Sequence, residues 1–305
     1  MFEAVGRNRT KTAFIVSAIF LFFAAIIWSI TFFMFELGII VGIIAVAIAF
    51  IGTFITYWNS DKIVLRIHKA RPATPAEDAQ LVNILEGLCI AAGVPKPRLY
   101  VMEDPALNAF ATGRNPKNAV ICVTTGLMKE LDYYELEGVV AHELAHIKNY
   151  DILLQTVAGI MIGAAIVAAR VASRAMFHGA GRGGSGGRGG GAVVLVMMAI
   201  GVIFMIIAPI AGQMLKMLLS RNREFLADAK GAEFTRNPEA LASALERIGG
   251  STISLERSSN ATEGLYIVTP CADMRAEMRS KKKKSSVFST HPPIDARVEA
   301  LRNLR

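Results

Sequence analysis

Two long stretches near the start of the chain contain no charged residue. Positions 12–35 form the first and positions 37–60 the second, with only Glu36 between them. A helix of about 24 residues is about 36 Å long, which exceeds the roughly 30 Å hydrocarbon core of a bilayer. The pattern predicts a transmembrane hairpin over residues 12–60, preceded by a short segment, 1–11. A cleaved signal peptide fits less well, because a second apolar run follows the first at once.

A second pair of apolar segments occupies residues 151–217. Residues 152–169 and 189–215 carry no charge, and the Gly- and Arg-rich stretch 178–191 between them has the composition of a flexible linker. We expect two further membrane spans here. The arginines of the linker would then lie on the side of the membrane that basic residues avoid. Short or re-entrant helices near one face are therefore the alternative.

Basic residues flank the first hairpin at both ends. Arg7, Arg9 and Lys11 precede it, and Lys62 and Arg66 follow it. Positively charged flanks of membrane helices remain on the cytoplasmic side. We therefore expect both ends of the hairpin, and the polar sequence after it, to lie in the cytoplasm.

The composition agrees with a membrane protein. Charged residues make up 19% of the chain, against about 25% in soluble proteins. The net charge of +8 is not accompanied by a nucleic-acid-binding motif, so we expect an anionic lipid surface and no nucleic acid as its partner. Cys89, Cys122 and Cys271 form neither a metal-binding nor a disulfide spacing. They are predicted to be buried thiols in a reducing compartment.

Most of the charge lies in residues 61–150 and 218–305, which we expect to form the two parts of one domain. Residues 74–93 predict a helix, because TPAED supplies a cap and an acidic first turn and AAGVP supplies a stop. RLYVME, NAFATG and NAVICVTT are rich in strand formers, with RNPK as a turn between the last two. A helical pattern resumes at Gly126. The order predicts a small antiparallel sheet followed by a helix.

That helix contains the sequence HELAH, in which two histidines are four residues apart. On a helix His142 and His146 lie on one face, so both imidazoles can reach one metal ion. Zinc binds such nitrogens at about 2.0–2.1 Å and lowers the pKa of a water molecule toward about 7. Glu143 is placed to accept the proton from that water. HExxH on a helix is therefore a specific prediction of a catalytic zinc site.

A catalytic zinc needs a third protein ligand. Asn149 and Ile152 stand where a metzincin has glycine and histidine, which excludes that class. Asp151 is the only carboxylate between the motif and residue 223, and we expect it to point away from the histidines. Glu224, in SRNREFLADAKG, is the next candidate. Asp228 lies four residues further on and could hold a histidine ring nitrogen.

Four segments together resemble the HtpX family of bacterial membrane zinc endopeptidases, which are relatives of the CAAX prenyl proteases. They are HELAH, RNREFLAD, NAFATG and STHPPIDARVEAL, and with the N-terminal hairpin they cover essentially the whole chain. The resemblance implies an α-helical membrane protein with a zincin-like α+β catalytic domain. It also implies one Zn²⁺ per chain held by His142, His146 and Glu224, with Glu143 as the general base.

Two further roles follow from the resemblance. The segment Asn108, Ala109 and Phe110 resembles an edge strand beside the active site, to which an extended peptide could add as a further strand. His291 resembles a histidine near the zinc, which could stabilise an oxyanion or orient a ligand.

The function expected is that of a zinc endopeptidase in the bacterial plasma (inner) membrane, with its catalytic domain in the cytoplasm. Its substrates would be unfolded, damaged or membrane polypeptides, as part of protein quality control under stress. A prenyl-protein protease is the alternative within the enzymes. A catalytically silent scaffold and a transporter with a regulatory zinc site are the alternatives outside them. A scaffold would have lost Glu143 or a ligand, but all of these residues are present in the sequence. A transporter would carry charged residues within its spans, but the apolar stretches contain none.

Overall fold

A computed structural model describes residues 58–153, 221–255, 266–267 and 292–304, together with Ala47 and Ile51. Nearly all of the predicted hairpin 12–60 and of the segment 151–217 lies outside these residues, as do His291 and Cys271. Within the described ranges no helix combines the length and the apolar character needed to cross a bilayer.

The described residues form seven helices, four strands and a short 3-10 turn. The helices are α1 (Ser60–Ile67), α2 (Ala79–Ala92), α3 (Thr125–Glu130), α4 (Tyr133–Lys148), α5 (Arg221–Thr235), α6 (Pro238–Gly250) and α7 (Ile294–Arg302). The strands are β1 (Arg71–Pro72), β2 (Arg98–Met102), β3 (Ala109–Gly113) and β4 (Ala119–Thr124), and the 3-10 turn is Pro116–Asn118. The predicted strands and the turn between the last two are thus confirmed.

The helix predicted over 74–93 is shorter at its start. It begins at Ala79, because the backbone N–H groups of Glu77 and Asp78 both donate to the carbonyl of Thr74 and close a turn there. It ends as predicted at Gly93, which adopts a left-handed conformation with φ of 63°. Such a conformation is available to glycine at little cost.

The sheet has the order β1-β2-β4-β3 and is mixed. The prediction of a purely antiparallel sheet is therefore wrong, because β2 and β4 run parallel, whereas β3 pairs antiparallel with β4. After β2 the chain crosses to the far side of β4 before it forms β3. The Thr124 hydroxyl holds this crossing by donating to the carbonyl of Ala106 at 2.6 Å. At Gly126 a Cβ atom would lie 2.1 Å from the carbonyl oxygen of Pro105, so only glycine fits there.

Both faces of the sheet are covered. One face packs against α2 and α4 through a core that includes Leu85, Val101, Ile121, Val139 and Leu144. The other face packs against α1 through Val64, Leu65, Met102, Phe110, Val120 and Cys122. Burial of Cys89 and Cys122 as free thiols confirms that part of the cysteine prediction.

Helix α4 lies at the centre of the domain and contacts α2, α5, α6, β3 and β4. Its first turn is fixed by a capping box, in which Asp132 accepts from the N–H of Glu135 and Glu135 accepts from the N–H of Asp132. Two glycines allow close helix packing. A Cβ at Gly138 would lie 3.1 Å from Leu241 of α6, and a Cβ at Gly231 would lie 3.1 Å from the backbone nitrogen of His142. The helix that carries HELAH is therefore held in place from both sides.

Candidate metal centre

The two histidines of α4 point their rings toward the same position. His142 and His146 are 0% and 4% exposed, and their rings meet edge to face with centroids 4.7 Å apart. Their Nε2 atoms are 3.2 Å apart. The four-residue spacing on one helix therefore brings two nitrogen ligands together, as the sequence predicts.

Glu224 of α5 lies beside these nitrogens. Its carboxylate oxygens are 3.8 Å from Nε2 of His142 and 3.5 Å from Nε2 of His146. The close contact between α5 and α4 at Gly231 sets this approach. The three side chains offer one ligand atom each within 4.8 Å of one another, and among the described residues they form a group that could hold a metal ion.

The spacing of these atoms can be compared with that of a tetrahedral site. Ligand atoms at about 2.0–2.1 Å from a tetrahedral zinc are about 3.3 Å from one another. Oε1 of Glu224 is 3.5 Å from Nε2 of His146, Oε2 is 3.8 Å from Nε2 of His142, and the two nitrogens are 3.2 Å apart. The residues present therefore fit a zinc ion with small adjustments of side-chain torsion.

Each histidine has a carboxylate at its other ring nitrogen. Nδ1 of His142 is 2.9 Å from Asp228 Oδ1, as predicted for Asp228. Nδ1 of His146 is 3.3 Å from Asp151 Oδ2. The expectation that Asp151 points away is wrong, because α4 ends at Lys148 and Tyr150 takes a left-handed conformation with φ of 61°. This turn brings the Asp151 carboxylate to Nδ1 of His146.

The hydrogen bonds decide which ring nitrogens carry protons. Because both Nδ1 atoms face carboxylates, we assign protons there, so that Nε2 of each ring is the atom available to a metal ion. Burial lowers the pKa of His142, although its hydrogen bond to Asp228 opposes the change. Burial also acts against charge on His146, but the hydrogen bond to Asp151 and the charge of Glu224 outweigh it and raise its pKa to about 9. The site therefore attracts positive charge to the point between the two rings.

Glu143 is a buried carboxylate next to the ligand atoms. It is 2% exposed, and burial raises its pKa from 4.5 to about 7. The positive charges of His146 and Arg297 oppose this rise, as does a hydrogen bond from the backbone of Ala111 in β3. A carboxylate whose pKa lies near neutral pH is well suited to accept and return a proton.

Two arginines complete the charge distribution. Arg297 of α7 binds both oxygens of Asp228, and Arg223 of α5 lies 3.5 Å from Asp151. Among the described residues the cluster thus contains four carboxylates and two guanidinium groups. When the two histidines are neutral and all four carboxylates are ionised, a divalent cation balances the charge of this cluster.

The predicted substrate-binding residues are all buried: Asn108 directly precedes β3, and Ala109 and Phe110 begin this strand at the edge of the sheet. Asn108 is 2% exposed, and its side-chain oxygen accepts from the N–H of Ala109. Phe110 is 1% exposed and packs between the rings of His68 and Tyr266. The prediction that a peptide binds along this segment remains a prediction.

The outer edge of β3 is already paired at this point. Phe110 forms a bridge with Tyr266, and the N–H of Ile267 donates to the carbonyl of Ala109 at 3.1 Å. The Tyr266 hydroxyl donates to Nε2 of His68 at 2.6 Å, which fixes this contact. A substrate strand must therefore pair with β3 beyond Phe110 or displace Tyr266 and Ile267.

Sequence reasoning missed Arg297. It lies in STHPPIDARVEAL, and Ile294, Arg297, Val298 and Leu301 follow the spacing of an apolar helix face. An arginine within such a face signals a buried charge with a partner. That signal was available from the sequence.

The fold and the site together define a class of protein. A buried HExxH helix is packed on a small sheet and completed by a glutamate from a second helix, which is the arrangement of a metal-dependent peptidase. The chain belongs to Peptidase family M48, whose sequence model matches residues 75–305.

Full-length relatives agree with this assignment. Proteins named "Protease HtpX homolog" are 42% identical in Dictyoglomus thermophilum (99% of this chain, 94% of that protein) and 39% identical in Listeria monocytogenes serotype 4a (100% of both). The resemblance to the HtpX family is thereby confirmed. A structure titled "Crystal Structure of S. mikatae Ste24p" covers 96% of this chain and 64% of that chain, with 17% identity and a TM-score of 0.49. This likeness is too remote to bear on function.

Proposed function

We propose that this protein is a zinc-dependent endopeptidase that is anchored in a bacterial plasma membrane and cleaves polypeptides on the cytoplasmic side. The observation that carries the proposal is the meeting of His142, His146 and Glu224 at one point, with Glu143 beside them. Two imidazoles and one carboxylate form a ligand set that leaves a fourth position open, as a catalytic zinc requires.

Bound zinc would polarise the scissile carbonyl and make a water molecule more acidic. Glu143 accepts the proton of the attacking water and passes it to the leaving amine. The backbone hydrogen bond from Ala111 holds the Glu143 carboxylate beside the middle of β3. Asp228 and Asp151 each fix one histidine ring through Nδ1, so that Nε2 faces the metal.

The membrane location is supported by the charge-free stretches 12–35 and 37–60. Helix α1 begins at Ser60, the last residue of the second stretch, and packs against the sheet. This adjacency along the chain supports a catalytic domain that lies next to the membrane surface. Misfolded or damaged membrane proteins are substrates that such a position makes accessible, and their removal under stress is the role that we propose.

Metal analysis and a cleavage assay test the proposal. The full chain, Glu143→Gln and the control Glu137→Gln, which changes a partly buried glutamate on the same helix, are purified in detergent and incubated with casein. All three should contain one zinc per chain. General-base catalysis contributes roughly 10²–10⁴-fold, so Glu143→Gln should cleave slower by at least that factor, and Glu137→Gln should match the wild type. Equal cleavage by wild type and Glu143→Gln would refute the mechanism.

A further inference from the structure

Arg297 is fully buried, although arginine is among the residues least often found inside a protein. Its guanidinium group binds Asp228 with two hydrogen bonds, from Nε to Oδ2 at 2.8 Å and from Nη2 to Oδ1 at 2.6 Å. Its remaining nitrogen, Nη1, donates to the backbone carbonyl of Ile267 at 3.0 Å. All three nitrogens of the guanidinium group therefore donate hydrogen bonds.

The same guanidinium group lies against the candidate ligands. Nη2 is 3.5 Å from the ring nitrogens of His142, and Nη1 is 3.6 Å from Oε2 of Glu224. Asp228, which Arg297 holds, is in turn 2.9 Å from Nδ1 of His142. One side chain from α7 thus contacts a histidine, a glutamate and the carboxylate that orients the histidine.

The second histidine has a weaker version of this arrangement. His146 is bonded to Asp151 at 3.3 Å, and Asp151 lies 3.5 Å from Arg223. The Arg223 side chain is 19% exposed, whereas that of Arg297 is 1% exposed. Charged hydrogen bonds are strongest when they are short, bidentate and shielded from water. The Arg297 arrangement is therefore the one that can fix a ring rigidly.

We propose that Arg297 is a positioning residue of the metal centre. Its planar fork fixes both oxygens of Asp228, so that Asp228 holds the His142 ring with Nε2 toward the metal. The inference rests on the zinc site proposed above and adds to it a residue that touches neither the metal nor the substrate.

Lysine cannot replace arginine in this role. Its ammonium group keeps the positive charge, but it is a single point donor and cannot grip both carboxylate oxygens and the Ile267 carbonyl in one plane. Arg297→Lys therefore separates the geometric role from the charge.

Arg302 provides a matched control on the same helix. Its guanidinium group also binds two carboxylates, those of Glu239 and Glu246 on α6, but it is 44% exposed and remote from the histidines. Arg302→Lys weakens the docking of α7 without touching the metal centre. A change that appears in Arg297→Lys and not in Arg302→Lys therefore belongs to the site.

The test measures zinc affinity in the detergent-purified full chain by competition with a chromogenic chelator. Loss of partners that orient metal ligands typically costs 10–100-fold in affinity, so Arg297→Lys should bind zinc 10–100-fold more weakly than the wild type. Arg302→Lys should stay within about twofold. The absorption spectrum of bound Co²⁺ should also change in Arg297→Lys, because the His142 ring is no longer held, and stay unchanged in Arg302→Lys.

Several outcomes would overturn the inference. Wild-type zinc affinity in Arg297→Lys would show that charge alone is sufficient, and an equal loss in Arg302→Lys would show that only the docking of α7 matters. A wild-type protein that binds no zinc would instead refute the proposed function.

A double-mutant cycle keeps the inference testable if Arg297→Lys does not fold. The pair Arg297→Gln with Asp228→Asn replaces two buried charges by two neutral amides, which is a smaller disturbance than removing one charge alone. If Arg297 acts through Asp228, the double variant should bind zinc as Asp228→Asn does. Additive losses of affinity would show that Arg297 acts independently of Asp228, against the inference.

Discussion

Burial of the Glu143 carboxylate should destabilise the protein, and Glu143→Gln should reveal by how much. The raised pKa means that the folded state binds the Glu143 proton more tightly than the unfolded state does. Stability is therefore lost as the pH rises through the interval between the ordinary pKa of 4.5 and the folded value of about 7. Glutamine does not titrate and is nearly the same shape, so the variant escapes this loss.

The size of the effect follows from the two pKa values. The difference between 4.5 and about 7 corresponds to about 3 kcal/mol, at about 1.4 kcal/mol for each tenfold change in acidity. For a domain of 150–250 residues such a difference raises the melting temperature by on the order of 5–10 °C. The full gain is expected at pH 8, and only a small part of it at pH 5.

Thermal unfolding of chelator-treated wild type and Glu143→Gln, followed by intrinsic fluorescence at pH 5 and pH 8, measures this difference. Glu299→Gln, an exposed change on α7, serves as the control and should melt with the wild type at both pH values. Adding zinc should reduce the difference in melting temperature between the two proteins, because a nearby cation favours the ionised carboxylate. The reasoning is refuted if Glu143→Gln melts at or below the wild type at pH 8, or if the gap does not depend on pH.

Three further variants and one fusion test other parts of the structure. In metal analysis, Glu224→Ala should lose stoichiometric zinc. In chelator competition, Asp151→Ala should keep zinc with an affinity about 10–100-fold weaker. The opposite result would make Asp151, not Glu224, the third ligand. Gly231→Ala places a methyl group 3.1 Å from the backbone nitrogen of His142, so zinc should bind more weakly in a folded protein, and unchanged affinity would show that α5 shifts freely. A topology reporter fused after Arg71 should give a cytoplasmic signal, and an extracytoplasmic signal would reverse the orientation.

Local patterns in the sequence were sufficient for α2, for strands β2, β3 and β4, for the HELAH helix and for bringing together the residues of the candidate site. The HELAH spacing on a helix placed His142, Glu143 and His146 together, and the scarcity of other carboxylates led to Glu224 and Asp228. These inferences hold because a helix fixes the relative positions of residues four apart whatever surrounds it. The strands were likewise found from strand-forming residues and turn signals.

The remaining features depend on contacts between distant segments. The parallel pairing of β2 with β4 results from the crossing that Thr124 and Gly126 hold in place. The position of Asp151 results from the left-handed turn at Tyr150, a conformation that tyrosine rarely adopts without support from its surroundings. Neither feature is encoded by a pattern of neighbouring residues, and so neither could be predicted from one.

His142 and Arg297 are 155 residues apart along the chain, and this separation matters during protein synthesis. Translation proceeds at about 5–20 residues per second, so HELAH leaves the peptidyl transferase centre on the order of ten seconds before Arg297 is added. Throughout that interval the nascent chain carries its catalytic motif without the side chain that fixes it. If the function proposed above is right, a growing chain should bind zinc weakly, and cleave slowly, until α7 has been synthesised. Proteins made from transcripts truncated before α7 lack Arg297. They should therefore retain HELAH but bind zinc poorly.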